Sequence, residues 1–186
     1  MKQTMQSLIL FSTALIFCGH ALASDAPKPE KNFTLTIAPL HLLLGIVEVN
    51  GEFKANNNLG VALILGTGTY KSTITTDSFS VSEYGFQVSY YPDSNFNDGV
   101  QYGLEVMRVD LQLISKSNIK SSGSGVAFGP YIGYKAVLDS NFVFVGQIGF
   151  QGYSVTAKAQ DSNGNSASAG GAGGGLLLNL NVGYSF

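Results

Sequence analysis

The chain closes on Leu178-Asn179-Leu180-Asn181-Val182-Gly183-Tyr184-Ser185-Phe186, and its even and odd positions separate cleanly. Leu178, Leu180, Val182, Tyr184 and Phe186 are apolar, whereas Asn179, Asn181, Gly183 and Ser185 between them are small or polar. A period of two belongs to an extended strand, whose successive side chains point to opposite faces. This strand therefore carries one greasy face and one small polar face.

The same test succeeds along the rest of the chain. Phe33, Leu35 and Ile37 alternate with Thr34, Thr36 and Ala38; Val47, Val49, Gly51 and Phe53 alternate with Glu48, Asn50, Glu52 and Lys54. Leu59, Val61, Leu63 and Leu65 alternate with Gly60, Ala62, Ile64 and Gly66. Tyr84, Phe86, Val88 and Tyr90 alternate with Glu83, Gly85, Gln87 and Ser89, and Tyr102, Leu104 and Val106 with Gln101, Gly103 and Glu105. Phe128, Pro130, Ile132 and Tyr134 alternate with Ala127, Gly129, Tyr131, Gly133 and Lys135. Phe142, Phe144, Ile148 and Phe150 alternate with Val143, Val145, Gln147, Gly149 and Gln151. With the C-terminal segment these make eight strands. In the fifth, the apolar set changes phase from Val106 to Val109, Leu111 and Leu113, which predicts a β-bulge near Met107 or Arg108. Pro130 lacks a ladder donor, which predicts another bulge or a strand end.

The connections alternate in length. Asn56 to Asn58, Pro92 to Gly99 and Leu138 to Asn141 are compact, as is the first, near Leu44 and Gly45. Lys71 to Ser80, Ser115 to Gly123 and Ala157 to Ala172 read as longer polar loops, the last a flexible Gly/Ser/Ala stretch. Short turns at one end and long loops at the other predict an all-β fold, an eight-stranded antiparallel up-and-down transmembrane β-barrel.

Which face meets lipid follows from three features. Gly60, Gly66, Gly85, Gly103, Gly129, Gly133, Gly149 and Gly183 all fall on the polar face. Small residues are needed where an eight-stranded barrel has an interior just wide enough for side chains. The short-turn ends carry Phe33, Phe53, Tyr90, Tyr102, Tyr134 and Phe142, and Tyr184 with Phe186, at one level and one phase. A membrane-interface girdle requires this and a soluble sandwich does not. Closure is also obligatory, because hydrocarbon leaves no partner for an unpaired backbone group.

The third feature is the leader. Met1 to Ala23 has the parts of a secretory signal: Lys2, the apolar run Leu8 to Cys18, and the small-x-small site Ala21-Leu22-Ala23. The apolar run is far below the roughly 20 residues that span hydrocarbon. Phe17 is too bulky to precede a lipidated Cys18. Cleavage would leave 163 of the 186 residues, with His41 as the one histidine and no cysteine. Residues 24–32, with Pro27 and Pro29, read as an extended periplasmic leader before a barrel domain at 33–186.

Composition agrees. Charged residues make up 12% of the chain, about half the ~25% of a soluble domain. Ten basic residues against 12 acidic ones leave no cationic surface for phosphates, so no nucleic-acid partner is expected. A single cysteine excludes a disulfide framework and a multi-cysteine zinc site.

The alternating end with its terminal Phe186 resembles the C-terminal signal of Gram-negative outer-membrane proteins. In that class the aromatic terminus and the hydrophobics before it, here Leu178, Leu180, Val182, Tyr184 and Phe186, are read by the barrel-assembly machinery. The whole chain resembles the small OmpW/OmpA-like barrel families in size, strand number and Gly/aromatic alternation. The resemblance implies an integral, monomeric outer-membrane protein, porin-like in architecture, whose partners are outer-membrane lipid and the assembly machinery. No cofactor is implied. With the strand pattern running to Phe186, the peptidoglycan-binding domain of many OmpA-like proteins is not expected.

Candidate site residues lie on the polar face. Glu48, Glu52, Lys54, Glu105 and Lys135 are expected in the lumen with Gln87, Gln147 and Gln151, and Arg108 joins them if the bulge turns it inward. Charges in a narrow low-dielectric interior must pair, which predicts a salt-bridged plug. A water-filled channel needs about 16 strands and is excluded. The alternatives are a narrow path for small or apolar solutes, opening sideways near Met107 as in OmpW-like barrels, and a lipid A acyl-modifying enzyme. The latter would draw on His41, Asp77 and Ser78, but His41 sits in an apolar run, Leu40 to Leu44, that suits interface packing. One histidine cannot form a multi-histidine metal site. The expectation is a non-enzymatic envelope-structural or surface-interaction protein with no catalytic residue and no metal.

Overall fold

Strands with one apolar and one polar face can hide their backbone only by pairing on both edges. In a computed structural model, which describes residues 30–71, 78–114, 120–160 and 166–186, they do so in a ring. In chain order the elements are β1 Phe33–Ile37, α1 Pro39–Leu43, β2 Ile46–Lys54, β3 Leu59–Lys71, β4 Ser78–Tyr90, β5 Gly99–Ile114, β6 Lys120–Val137, β7 Phe142–Gln160 and β8 Ser166–Ser185. Each strand pairs antiparallel with the next, and β8 returns to β1. The expected eight-stranded antiparallel barrel is the observed fold. The proposed leader, 1–23, and most of 24–32 lie outside the described residues. Among the described residues no helix is long and apolar enough to cross a membrane.

The register fixes the shape. Hydrogen-bonded partners run from Leu35 through Gly51, Leu63, Phe86, Val106, Phe128 and Gly152 to Gly174 on β8. Gly174 is ten residues before Tyr184, which pairs with Leu35 directly, so the shear is ten. Eight strands with that stagger tilt by roughly 40–45° from the barrel axis.

The wall is not uniform in height. β1 meets β8 only from Thr34↔Ser185 to Ile37↔Val182. Beyond Ile37 the chain forms α1, and Gly45, at φ +76°, turns it into β2. β2 ends its pairing with β3 at Ile46↔Gly68, whereas β4 to β8 continue far beyond. The short-turn half is therefore a closed eight-stranded ring, and the far half is a six-stranded curved sheet, β3 to β8, open on one side.

No bulge occurs near Met107 or Arg108, which corrects the sequence expectation. β5 stays in register with β4 and β6 through Val106↔Phe86, Met107↔Gly85 and Arg108↔Tyr84, and onward to Ile114. The phase change is instead an exchange of faces. Below it, Leu63, Phe86, Leu104, Ile132, Ile148 and Leu178 are exposed on the outside. Above it, Thr67, Ser82, Arg108, Asp110, Ser124, Ser154 and Thr156 take the outer face, and Phe79, Val81, Met107, Val109, Leu111, Tyr153 and Val155 turn inward. The apolar outer band covers some eight to ten residues of tilted strand, roughly 20–25 Å, the height of a membrane barrel's lipid-facing belt. Above that height the strands place polar side chains outside.

Two further expectations change. Ala157 to Ala172 is not one loop, since β7 runs to Gln160 and β8 begins at Ser166, the Gly/Ala-rich stretch pairing through Thr156↔Gly170 and Ser154↔Ala172. Low side-chain bulk did not prevent ladder formation once β7 supplied partners. Pro130 neither shifts register nor ends β6: the β6–β7 ladder resumes in step on either side, at Phe128↔Gly152 and Tyr131↔Gly149.

Candidate functional site

The lumen of the closed half is packed in three polar tiers. The first, at the short-turn end, is centred on Lys135, which is fully buried. Its Nζ lies 2.9 Å from Glu52 Oε2 and 3.4 Å from the ring centroid of Phe96. The Tyr91 hydroxyl donates to Glu52 Oε1 at 2.6 Å and lies 3.1 Å from Gln101 Oε1. Burial, the largest influence, together with the Glu52 charge pushes that hydroxyl well above the usual tyrosine range, so it keeps its proton and donates. Tyr91 and Phe96 belong to the β4–β5 connection, which folds up into the barrel with both rings buried and edge-to-face at 5.6 Å. The sequence pattern marks this stretch only as a compact turn. Its signal was an aromatic, Phe96, set among Asn95, Asn97 and Asp98. Lys54 points into the same end and pairs with Glu30.

The second tier holds Glu105 with neutral partners. Gln87 Nε2 donates to Glu105 Oε2 at 2.6 Å and to Gln147 Oε1 at 3.0 Å. Asn179 Nδ2 donates to the same two oxygens at 2.8 and 3.0 Å. Amide donors thus satisfy a buried carboxylate without a cation. Beside them Ser89 and Tyr131 share a hydrogen bond of 2.8 Å.

The third tier lies where β1 gives way to α1. Its members are His41 on α1, Glu48 on β2 and Glu83 on β4. His41 Nδ1 is 2.5 Å from Glu48 Oε2 and 3.5 Å from Glu83 Oε2. Asn50 Nδ2 donates to the other Glu48 oxygen at 3.0 Å. The apolar run Leu40 to Leu44 suggested interface packing for His41; it is instead on α1, turned into the barrel, while Leu43 and Leu44 of the same run are exposed.

The inward glycines make room for these groups. A Cβ on Gly60 would lie 2.3 Å from Glu52 Oε1, one on Gly66 2.9 Å from Glu83 Oε2, and one on Gly103 2.2 Å from the Tyr131 ring. At these three positions glycine is the complement of a large polar side chain on the neighbouring strand, whereas at Gly129, Gly149 and Gly183 a Cβ would meet the neighbouring strand's backbone.

Of the charges expected in the lumen, Glu48, Glu52, Lys54, Glu105 and Lys135 are there, in separate tiers. Arg108 is not, which corrects that assignment. Without a bulge it faces outward, paired with Asp110 at 3.2 Å beside the Tyr84 ring, and Tyr84 donates to Asp110 at 3.0 Å. Nearby, Asp110, Leu111, Gln112, Ser122, Gly123, Ser124, Thr156 and Lys158 line a shallow groove of about 270 Å³. Of the other residues weighed for catalysis, Asp77 lies outside the described residues, and Ser78 opens β4.

The aromatics expected in the girdle sit on the outer face of the short-turn end. Phe53, Tyr90, Tyr102, Tyr134, Phe142, Tyr184 and Phe186 are exposed there, and Phe33 is half-buried between Phe53 and Phe186 at 4.6 and 5.9 Å. Leu178 and Leu180 continue the outer face of β8, with Val182 half-buried among them. The terminal residue is tied across the seam: Phe186 N donates to Phe33 O at 2.8 Å and Asn32 N to Phe186 O at 3.0 Å.

No protein-family model matches the chain, and no curated protein matches it. Among solved structures it is similar to the crystal structure of a major outer membrane protein from Thermus thermophilus. Identity is 18%, the match covers 84% of this chain and 98% of that one, and the TM-score is 0.49.

Proposed function

We propose that this chain is a non-enzymatic, monomeric β-barrel protein integral to the outer membrane of a Gram-negative cell, serving envelope structure or contacts at the cell surface. The observation that carries this reading is the continuous outer belt of exposed Leu, Val, Ile and Phe, bordered at one end by the aromatic ring. A water-exposed protein has no use for such a belt, whereas lipid requires it. The packed tiers favour a closed plug over a conducting lumen. The strands that rise beyond the belt, with polar side chains on their outer face, are suited to contacts at the surface. In this reading Leu178 to Phe186 serves as the barrel-assembly signal, and the OmpW/OmpA-like small barrels are the group that the chain fits in size and strand number. Unboiled protein from the outer-membrane fraction should migrate differently from boiled protein on a detergent gel, and planar bilayers containing it should stay silent. Identical mobility with recovery in the soluble periplasm, or steady conductance, would overturn the reading.

A second reading is favoured by the exchange of faces. The open half has an apolar inner lining in which Phe79, Leu111, Tyr153 and Val155 remain 39–46% exposed. Such a cup suits capture of a small apolar solute, entering beside α1 rather than near Met107. Binding of an apolar fluorescent probe to the folded protein should then be weakened at least tenfold by Val109→Asp; equal binding by both forms discards this second reading.

A further inference from the structure

We propose that His41, Glu48 and Glu83 form a binding site for one divalent transition-metal ion of the zinc class. Glu48, Gly66 and Glu83 are consecutive partners across β2, β3 and β4. Gly66, lacking a side chain, lets the two carboxylates meet over it, and a Cβ there would press on Glu83 Oε2 at 2.9 Å. α1 brings His41 against them, and the three facing atoms, His41 Nδ1, Glu48 Oε2 and Glu83 Oε2, lie within 4.8 Å of one another. All three atoms are buried, and none has a well-directed hydrogen bond. Glu48 and Glu83 are themselves only 3% and 9% exposed. Apart from their contacts with one another, these three convergent buried atoms have no partner, an arrangement that is costly unless something sits among them.

Charge leads to the same ion. Two buried carboxylates face a single imidazole, and even an imidazolium would leave one negative charge unbalanced in a low-dielectric interior. The next carboxylate, Glu105, is held by the amides of Gln87 and Asn179 and supplies no cation. A divalent ion balances both charges and takes the imidazole as a neutral ligand. One nitrogen and two carboxylate oxygens suit zinc, with bonds of about 2.0–2.2 Å and a fourth position for water or another oxygen ligand. Loading would spread the His41–Glu48 pair from its 2.5 Å separation. Asn50, which donates to the far oxygen of Glu48, would orient that ligand from behind. His41, half-buried at the point where β1 is replaced by α1, gives the ion an entry path. The site does not depend on what the barrel does at the cell surface.

The test uses full-length protein refolded in detergent and stripped with a chelator. Zn²⁺ titrated calorimetrically, with metal content measured by mass spectrometry, should saturate at one ion per chain. His41→Ala and Gly66→Ala should each weaken binding at least tenfold, while Asp110→Asn on the outer face leaves it unchanged. Gel mobility of unboiled samples establishes that each variant is folded. Gly66→Ala removes no ligand, so it remains informative if loss of His41 prevents folding. Absence of saturable uptake by the wild type, or uptake that folded His41→Ala and Gly66→Ala retain in full, would overturn the proposal.

Discussion

Lys135→Met is expected to destabilise the barrel by about 3–5 kcal/mol, because it leaves the Glu52 carboxylate buried without its cation. The lysine is fully buried, its ammonium 2.9 Å from Glu52, and Glu52 is itself 12% exposed. The methionine replaces the stem and keeps its packing under Phe96, so the loss isolates the charge. Glu52→Gln in the same chain should recover most of the difference, since an amide can still accept from Tyr91 without carrying charge. Urea unfolding in lipid vesicles, followed by far-UV circular dichroism and by gel mobility, measures both variants. A loss below about 1 kcal/mol for Lys135→Met would mean that water reaches the tier and that the lumen is not plugged there.

The second large effect is at the seam. Gly183→Val should cost about 3 kcal/mol or more and leave much of the protein unable to acquire the folded gel mobility. A Cβ at Gly183 would lie 2.0 Å from the Leu35 carbonyl oxygen and 2.6 Å from Thr36 Cα, both backbone atoms of β1. They cannot move aside without breaking the β1–β8 pairing, which has only four residue pairs to lose. In the proposed membrane setting an opened seam would expose unpaired backbone to lipid, where each group costs several kcal/mol. Gly146→Ala is the control, because a Cβ there meets nothing within 4 Å. Full stability of Gly183→Val would show that the β1–β8 seam does not limit closure.

How much of this was legible in the residues can be traced element by element. Strand number, antiparallel order and the outward aromatics followed from the period of two, since each side chain's face is set by its own backbone position. The phase change in β5 was visible too, but its cause was not. A single strand offers two explanations, a bulge or a change of solvent, and only the unbroken register of Arg108 with Tyr84 and Val126 separates them. Ser154 and Thr156 on β7 carry the same exchange of faces beyond the stretch read as strand, and Lys158 carries it within the stretch expected as a loop. The inward charges were also predicted, but not their partners. That Lys135 meets Glu52, 83 residues away, depends on shear and tilt rather than on either residue's neighbours.

His41 marks the boundary most clearly. The residue pattern was sufficient for the barrel: alternation, small residues on one face, aromatics at one end and scarce charge together pointed to the closed antiparallel ring that is observed. It took the folded chain to show that β1 stops at Ile37, that α1 swings His41 inward, and that it meets Glu48 and Glu83 over a glycine. Pattern is local and is repeated in every strand, so it survives without knowledge of the whole. The meeting of three side chains from α1, β2 and β4 depends on register and closure, which no single segment encodes.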